Sequence, residues 1–394
     1  MSNEQILDGV RVLDFSRYIA GPYCAELLAL LGADVIRIEK PGGGEDRFVG
    51  PVGEDISALF LKTGCNKRSL VLDLKHPDAG DVIARLVATA DVVIANMPPL
   101  ALQRMGLDFA SLSAIKPDIV LTTQTCFGHA GPWANRGGFD GIAQVMSGSA
   151  YMSGTPGQPH RAATPYVDYS TAVLGAFGTL AALYQRRDTG LGQHVQASLL
   201  GTALSAFSAP LIEQAILGLN RVPLGNRGQT SAPTDIFKAT DGHLITAVVG
   251  SGLFKRVATV VGRPEWIDDP RLATDDQRGE ARDEICDAVA AWVAKRSVDE
   301  ALDLLSAAGV PCGPVLDLDQ ALAHPQVKAM GYMHHLEVPG LDGDAPVARL
   351  PLDFSAFSPR HERPPQIGEH SDAILSEAGF SAAEIGDLHS GGVI

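Results

Sequence analysis

One aspartate, Asp168 in the run RAATPYVDYSTAVLGAFGTLAALYQR, stands where an extended entry gives way to a helix. Thr164-Pro165 forces the extended entry, because a residue that precedes proline avoids the helical region. Downstream, Ala172, Leu174, Ala176, Leu180, Ala181 and Leu183 carry helical spacing. The same stretch is lined with small residues (Ala172, Gly175, Ala176, Gly178, Ala181, Ala182), so other backbones can approach it closely. Asp168 is therefore expected at or near an N-cap, crowded and partly buried, and kept ionised at neutral pH by the helix start. Two roles are open to it. It is either an ordinary cap or a carboxylate nucleophile that forms a covalent acyl intermediate.

A second group of residues recurs at the ends of expected strands: Arg17, Lys40, Lys75, Asn96, Arg104 and Arg136. Singly each reads as a solvated loop residue, and together on one sheet edge they could gather phosphates. The elements that place them follow from the first half of the chain. Gly9–Ser16 reads as a buried strand, Gly21-Pro22 opens a helix that ends near Gly32, and Asp34–Glu39 is the next strand. Such βαβ order implies a parallel sheet with right-handed crossovers. LVLDLK, DVVIAN (Asp91–Asn96) and DIVLTTQT (Asp118–Thr125) continue the strands, with helices over Pro77–Thr89 and Pro98–Met105 between them. Ligands of such sheets bind outside the carboxyl ends of the strands. The first turn, SRYIAGP, is not GxGxxG and offers only Gly21, which disfavours a dinucleotide site, although a helix start there can still hold an anion.

Beyond Asp168, VQAS is a short strand and Leu199–Gly218 a second long helix. Asn220–Thr234 carries prolines and glycines without an apolar period and reads as a linker or active-site loop. A strand, an Asp241-Gly242 turn, a second strand and three helices follow, as in a small α+β domain. Strand signals return at Gly313-Pro314-Val315, Tyr332–Val338 and Val347–Leu350, and the tail reads as two short helices.

Composition narrows the classes. The chain has 394 residues, 45% of them hydrophobic, enough for two domains with sizeable cores. A net charge of -15 argues against nucleic-acid or anionic-membrane partners. Five scattered cysteines (Cys24, Cys65, Cys126, Cys286, Cys312) form no metal spacing and read as reduced core thiols, and the dispersed histidines give no metal motif. No metal is expected. Without an apolar run of 18 residues or a signal-peptide start, a cytoplasmic location is expected.

Several stretches in this order resemble the class III CoA-transferase family, also called CaiB/BaiF: VLDFSRYIAGPYCAELLALLGADVIRIEKPGGG, NKRSLVLDLK, ADVVIANM with LQRMGLDFASL, FGHAGPWANRGGFDGIAQVMSG, VDYSTA, TGLGQHVQASLL, GVPCGPV and GEHSDAIL. The resemblance implies an α/β fold with a Rossmann-like large domain built from both chain ends (residues 1–220 and 313–394), an inserted small α+β domain (221–312) and an interlocked homodimer. It implies that Asp168 is the nucleophile. It places coenzyme A contacts on Ile19, Ala20, Lys40, Leu72, Lys75, Asn96, Met97, Arg104, Arg136 and Phe139, with acyl-CoA as a substrate and no permanently bound cofactor. Formyl-CoA transferases have glutamine where Ile19 stands and tyrosine where Phe139 stands, and carnitine CoA-transferases have lysine where Met97 stands, so those substrates are not favoured.

The implied chemistry moves CoA from an acyl-CoA, succinyl-CoA or acetyl-CoA being common donors, to a small carboxylic acid through an aspartyl anhydride and an aspartyl-CoA thioester. A backbone N–H at a helix start could stabilise the oxyanions, and the Leu224–Gln229 segment could shield the anhydrides. Arg161 or Arg227 could hold a second carboxylate of an acid such as mesaconate, itaconate or citramalate. The alternative is an α-methylacyl-CoA racemase, which needs a histidine where Phe139 stands. A CoA-binding module without chemistry and a nicotinamide oxidoreductase are the readings from other classes.

Overall fold

A computed structural model describes residues 5–54 and 56–394. The chain divides into two compact units, one taking in residues up to Ser147, Ala163–Phe207 and Pro325–Ile394, the other Gly148–Ala162 and Ser208–His324. The sequence reading drew its boundaries at 220/221 and 312/313.

The first unit is built on six parallel strands: β1 (Arg11–Asp14), β2 (Asp34–Glu39), β3 (Lys67–Val71), β4 (Val92–Ala95), β5 (Val120–Thr125) and β6 (His194–Ser198). Their order is β3-β2-β1-β4-β5-β6, with β1 paired in parallel to both β2 and β4. Chain direction across the sheet therefore reverses between β1 and β4, where the loops leaving the two strands part and open a crevice. Both faces of the sheet are covered. One core gathers Leu13, Ile36, Leu70, Val93 and Leu121 with Val82 and Leu86 of the helix Ala79–Ala88. The other packs Val12, Val35 and Ile94 against helices α1 (Ala20–Leu30) and α3 (Tyr166–Thr189). A short helix, α2 (Asp140–Met146), lies between those two in sequence.

Three local readings change. The strand read as LVLDLK (Leu70–Lys75) starts three residues earlier and ends at Val71, because after Leu72 the next amide, Asp73 N–H, leaves the ladder to bond the Val393 carbonyl. The helix expected over Leu199–Gly218 breaks at Phe207 into Leu199–Ala206 and Ser208–Leu217. Pro210 explains the break, since a proline lacks the N–H that would bond back to Ala206 and is tolerated only in a helix's first turn. Gly21 serves packing: a Cβ there would lie 2.1 Å from Cβ of Ser16.

The second unit holds an antiparallel sheet of β7 (Thr234–Lys238), β8 (His243–Ala247) and β9 (Cys312–Pro314), with β8 in the middle. The strand signal at Gly313 thus belongs with β8. Phe237, Leu244, Phe254, Trp266, Ile285 and Leu305 fill its core. All five cysteines are free thiols, four buried and Cys312 partly so. Among the described residues, no single helix is long and apolar enough to cross a membrane.

Candidate active site

At the crevice between β1 and β4 the first unit has a cleft of about 310 Å³. The loop after β1, the loop after β4, the end of β5 and the 136–139 turn form its walls, and Asp168 lies on its lining.

Asp168 is the third residue of α3, and the residue at the N-cap is Pro165, whose side chain caps nothing. The cap comes from elsewhere. Oδ2 of Asp140, in the first turn of α2, accepts hydrogen bonds from Val167 N–H (2.7 Å) and Asp168 N–H (3.2 Å), while Oδ1 is held by the Gln144 amide. The carboxylate of Asp168 has no hydrogen-bond or ion-pair partner among the described residues, although the residue is only 8% exposed. Burial, and after it the charge of Asp140, pushes its pKa up to about 7. The expectation that the helix start keeps it fully ionised is thereby corrected: the first N–H groups, which would favour the charge, already face Asp140. The first-turn amides of this helix are all engaged, since Tyr166 and Tyr169 N–H are held by the Thr164 and Pro165 carbonyls. Free first-turn amides exist instead at α1, where Ala20 and Gly21 N–H have no partner among the described residues and Ala20 lines the cleft.

Of the eleven residues expected at the site, six line this cleft: Asp168, Ile19, Ala20, Asn96, Arg136 and Phe139. Lys40, Lys75 and Arg104 are exposed and lie outside its lining. Leu72 and Met97 point their side chains into the core, which leaves only main-chain atoms to meet a ligand. Asn96 spends its amide on the neighbouring loop, accepting from Arg17 N–H at 2.9 Å and donating to the Arg17 carbonyl at 2.5 Å. Arg136 lies over the Trp133 ring, 4.3 Å from its centroid, and Phe139 packs edge-on against Tyr18 at 5.3 Å. In the second unit, Arg227 is committed to Asp235, Asp283 and Asp287, which leaves it little to offer an acid.

Sequence reasoning passed over Asp140 and Tyr18, whereas Arg17, read among the strand-end residues that could gather phosphates, does line the cleft. The backbone of Tyr18 is left-handed, with φ 66°, an uncommon state for a bulky residue that tends to mark ligand-binding turns. A signal for Asp140 was present, since GGFDGIAQVM places an acid at a helix start, but nothing local says that it caps a helix 27 residues away.

Comparisons with known proteins give the family and the fold. The family description CoA-transferase family III matches residues 7–371. The chain is 36% identical over 382 residues to a succinate–glutarate CoA-transferase of Agrobacterium fabrum, covering 94% of this chain and 95% of that one. It is 30% identical to the human succinyl-CoA:glutarate CoA-transferase, over 100% of this chain and 91% of the other. A crystal structure of a CaiB/BaiF family protein from Brucella suis superposes with a TM-score of 0.83 at 32% identity, covering 95% and 99% of the two chains. The parallel sheet, its crevice and these matches together make the chain a member of CoA-transferase family III, an enzyme that transfers coenzyme A between thioesters and carboxylates.

Proposed function

We propose that Asp168 is the nucleophile and that CoA moves through two covalent states on it. The ionised carboxylate attacks the thioester carbonyl of the donor acyl-CoA, the C–S bond breaks, and a mixed anhydride forms with free CoA thiolate. The thiolate attacks the aspartyl carbonyl of the anhydride, expelling the donor acid and leaving an aspartyl-CoA thioester. The acceptor carboxylate attacks that thioester, giving a new anhydride and thiolate. The thiolate then attacks the acceptor acyl carbon, releasing the new acyl-CoA and regenerating Asp168. The observation that carries this reading is the partnerless carboxylate of Asp168 opening on the cleft, since a carboxylate tied up in hydrogen bonds would be a poor nucleophile.

The free amides of Ala20 and Gly21 at the start of α1 are the proposed donors to the tetrahedral oxyanions. The CoA contacts are proposed at Ile19, Ala20, Arg136 and Phe139 in the cleft and at Lys40, Lys75 and Arg104 for the phosphates outside it, with Asn96 acting through the Arg17 loop and Leu72 and Met97 through main-chain atoms. The acids are proposed to be small dicarboxylates, as in the names of the two glutarate transferases above. Val173, Leu174, Phe177 and Tyr184 on α3 and Ile212, Ile216 and Leu217 in the second unit leave large apolar side chains exposed on a single chain. That supports the interlocked homodimer, in which the second unit is an inserted domain. A racemase needs a second proton-transfer group facing Asp168, and no histidine is among the residues lining the cleft.

Incubating the enzyme with succinyl-CoA and hydroxylamine tests the chemistry. An aspartyl hydroxamate at Asp168, found by peptide mass spectrometry and absent in Asp168→Ala, is expected; unmodified Asp168 in a transferring enzyme would sink the covalent route.

A further inference from the structure

We propose that Arg17 reads the second carboxylate of a dicarboxylic acyl group or acceptor acid, an assignment that rests on the transferase chemistry above. Two cations, Arg17 and Arg136, are among the residues that line the cleft with Asp168. Arg136 lies over Trp133 on an exposed turn. Arg17 is built in more firmly, because the Asn96 amide fixes both its N–H and its carbonyl.

The left-handed Tyr18 that follows bends the chain so that Arg17, Tyr18, Ile19 and Ala20 all line the same cleft. A regular strand would turn alternate side chains away. The loop therefore keeps Arg17 on the lining together with Ile19 and Ala20, beside the start of α1.

The charge around Arg17 leaves it available. Its one carboxylate neighbour among the described residues, Glu45, stands 3.5 Å from Nη1, longer than the roughly 2.7–2.9 Å of a well-formed charge-assisted bond. The same Glu45 oxygen is already held by Lys40 at 2.9 Å. The Arg17 side chain keeps 49% of its surface exposed. A planar guanidinium with spare donors is suited to a carboxylate held by two parallel hydrogen bonds.

The cleft also needs such a cation. Asp168 lies on its lining without a cation partner among the described residues, and a dianionic acid approaching it meets repulsion that a monoanion meets only in part. The phosphates of CoA are assigned to Lys40, Lys75 and Arg104, outside the lining, so the anion left for Arg17 is the acid's distal carboxylate.

The test compares acyl groups of equal length with and without that carboxylate. Using acetate as acceptor, kcat/KM is measured with succinyl-CoA against butyryl-CoA and glutaryl-CoA against pentanoyl-CoA, for the wild type, Arg17→Gln and Arg17→Lys. Arg17→Gln is expected to lose roughly ten- to a hundredfold with the dicarboxylic donors, the range of a charged hydrogen bond, and less than threefold with the others. Arg17→Lys should fall between. Inhibition by free CoA should change by less than threefold. Equal losses for both donor classes, or a wild type that does not prefer the dicarboxylic donors, would overturn the role of Arg17. A wild type that transfers CoA without a trappable aspartyl overturns the covalent chemistry beneath it, a failure that hydroxylamine reads separately.

Discussion

Carboxylates are buried at two places in the first unit, and they are treated in opposite ways. Beneath β1, β2 and β3, Asp14 meets Lys67 at 2.9 Å and Arg37 at 3.6 Å, Glu39 meets Arg47 at 2.6 Å, and Asp46 meets Arg37 at 2.7 Å, with every one of these side chains 2% exposed or less. Burial pushes Asp14 upward, but Lys67 and then Arg37 outweigh it and leave it below the usual carboxylate range; Glu39 ends low in the same way through Arg47 and Arg37, while Asp46 stays raised by burial that Arg37 only partly offsets. At the start of α3, Asp140 and Asp168 have no cation partner among the described residues, and Asp168 rises to about 7. Glu26 on α1 is intermediate: 1% exposed, with Lys62 3.7 Å away and one oxygen unpartnered, it too is pushed up to about 7 by burial that Lys62 and Lys67 only partly offset. Burial alone does not make a carboxylate reactive. In the strand network counter-charge answers burial, whereas the carboxylate that faces the cleft has none beside it among the described residues.

The largest effect expected from this contrast follows Asp168→Asn. Loss of the nucleophilic oxygen should lower kcat by at least about a thousandfold, the scale at which a covalent route is lost. Stability should move the other way. The folded pKa of Asp168 lies above its unfolded value of 3.8, so the charge costs nothing below about pH 4, costs more as pH rises to about 7, and keeps that cost above it. The variant should therefore melt higher than wild type at pH 8, by roughly 1–3 kcal/mol, with the gain fading toward pH 4. Calorimetry at the two pH values checks it; a variant less stable than wild type at pH 8 would mean that the carboxylate has a partner and that the contrast is mistaken.

Lys67→Met turns the compensated region into the other kind. Nζ of Lys67 holds Asp14 at 2.9 Å and the Pro22 carbonyl at 2.8 Å, so its loss strands a fully buried carboxylate. Breaking such a pair costs roughly 3–5 kcal/mol. Asp14 now contributes stability above its unfolded pKa of 3.8 that is lost as pH falls; in the variant its pKa should rise, and the deficit should deepen as pH increases. Urea unfolding at pH 5 and pH 8 measures this, and a deficit under 1 kcal/mol at both would show that Arg37 alone neutralises Asp14.

The legible part of this molecule was local. DVIRIE read as a strand and is one, from Asp34 to Glu39, because an apolar run between Gly32 and Lys40-Pro41 has few alternatives. Asp168 stood out because Pro165 and the small residues after it act within one helical turn. Asp140 did not, since its hydrogen bonds to Val167 and Asp168 join residues 27 and 28 positions apart. The charge network stayed hidden for the same reason: Asp14, Arg37, Glu39 and Lys67 each look like a polar residue in or beside a strand, and only the pairing of β1, β2 and β3 brings them together. Asn96 was read as a ligand contact because it follows a strand end, whereas its amide is spent on the Arg17 backbone across the crevice.

The smallest and sharpest effect belongs to Asp140→Asn. The substitution keeps a side-chain oxygen that can accept from Val167 and Asp168 N–H, so α3 should keep its cap, but it removes the one charge that raises Asp168 in addition to burial. Burial is the larger cause and remains. Asp168 must be ionised to attack, so kcat/KM should rise with pH through about 7 in the wild type and at lower pH in the variant. Above pH 8.5 the nucleophile is ionised in both, and their rates should agree within a few-fold. At pH 6 the variant should be the faster enzyme, an unusual result for a substitution beside a nucleophile. Asp140→Ala is the control, because it removes charge and cap together and should lose roughly 1 kcal/mol of stability besides shifting the limb. An acid limb that stays at the wild-type pH in Asp140→Asn would show that the two carboxylates do not sense each other, and the uncompensated pair at the head of α3 would be reduced to an aspartate that caps a helix.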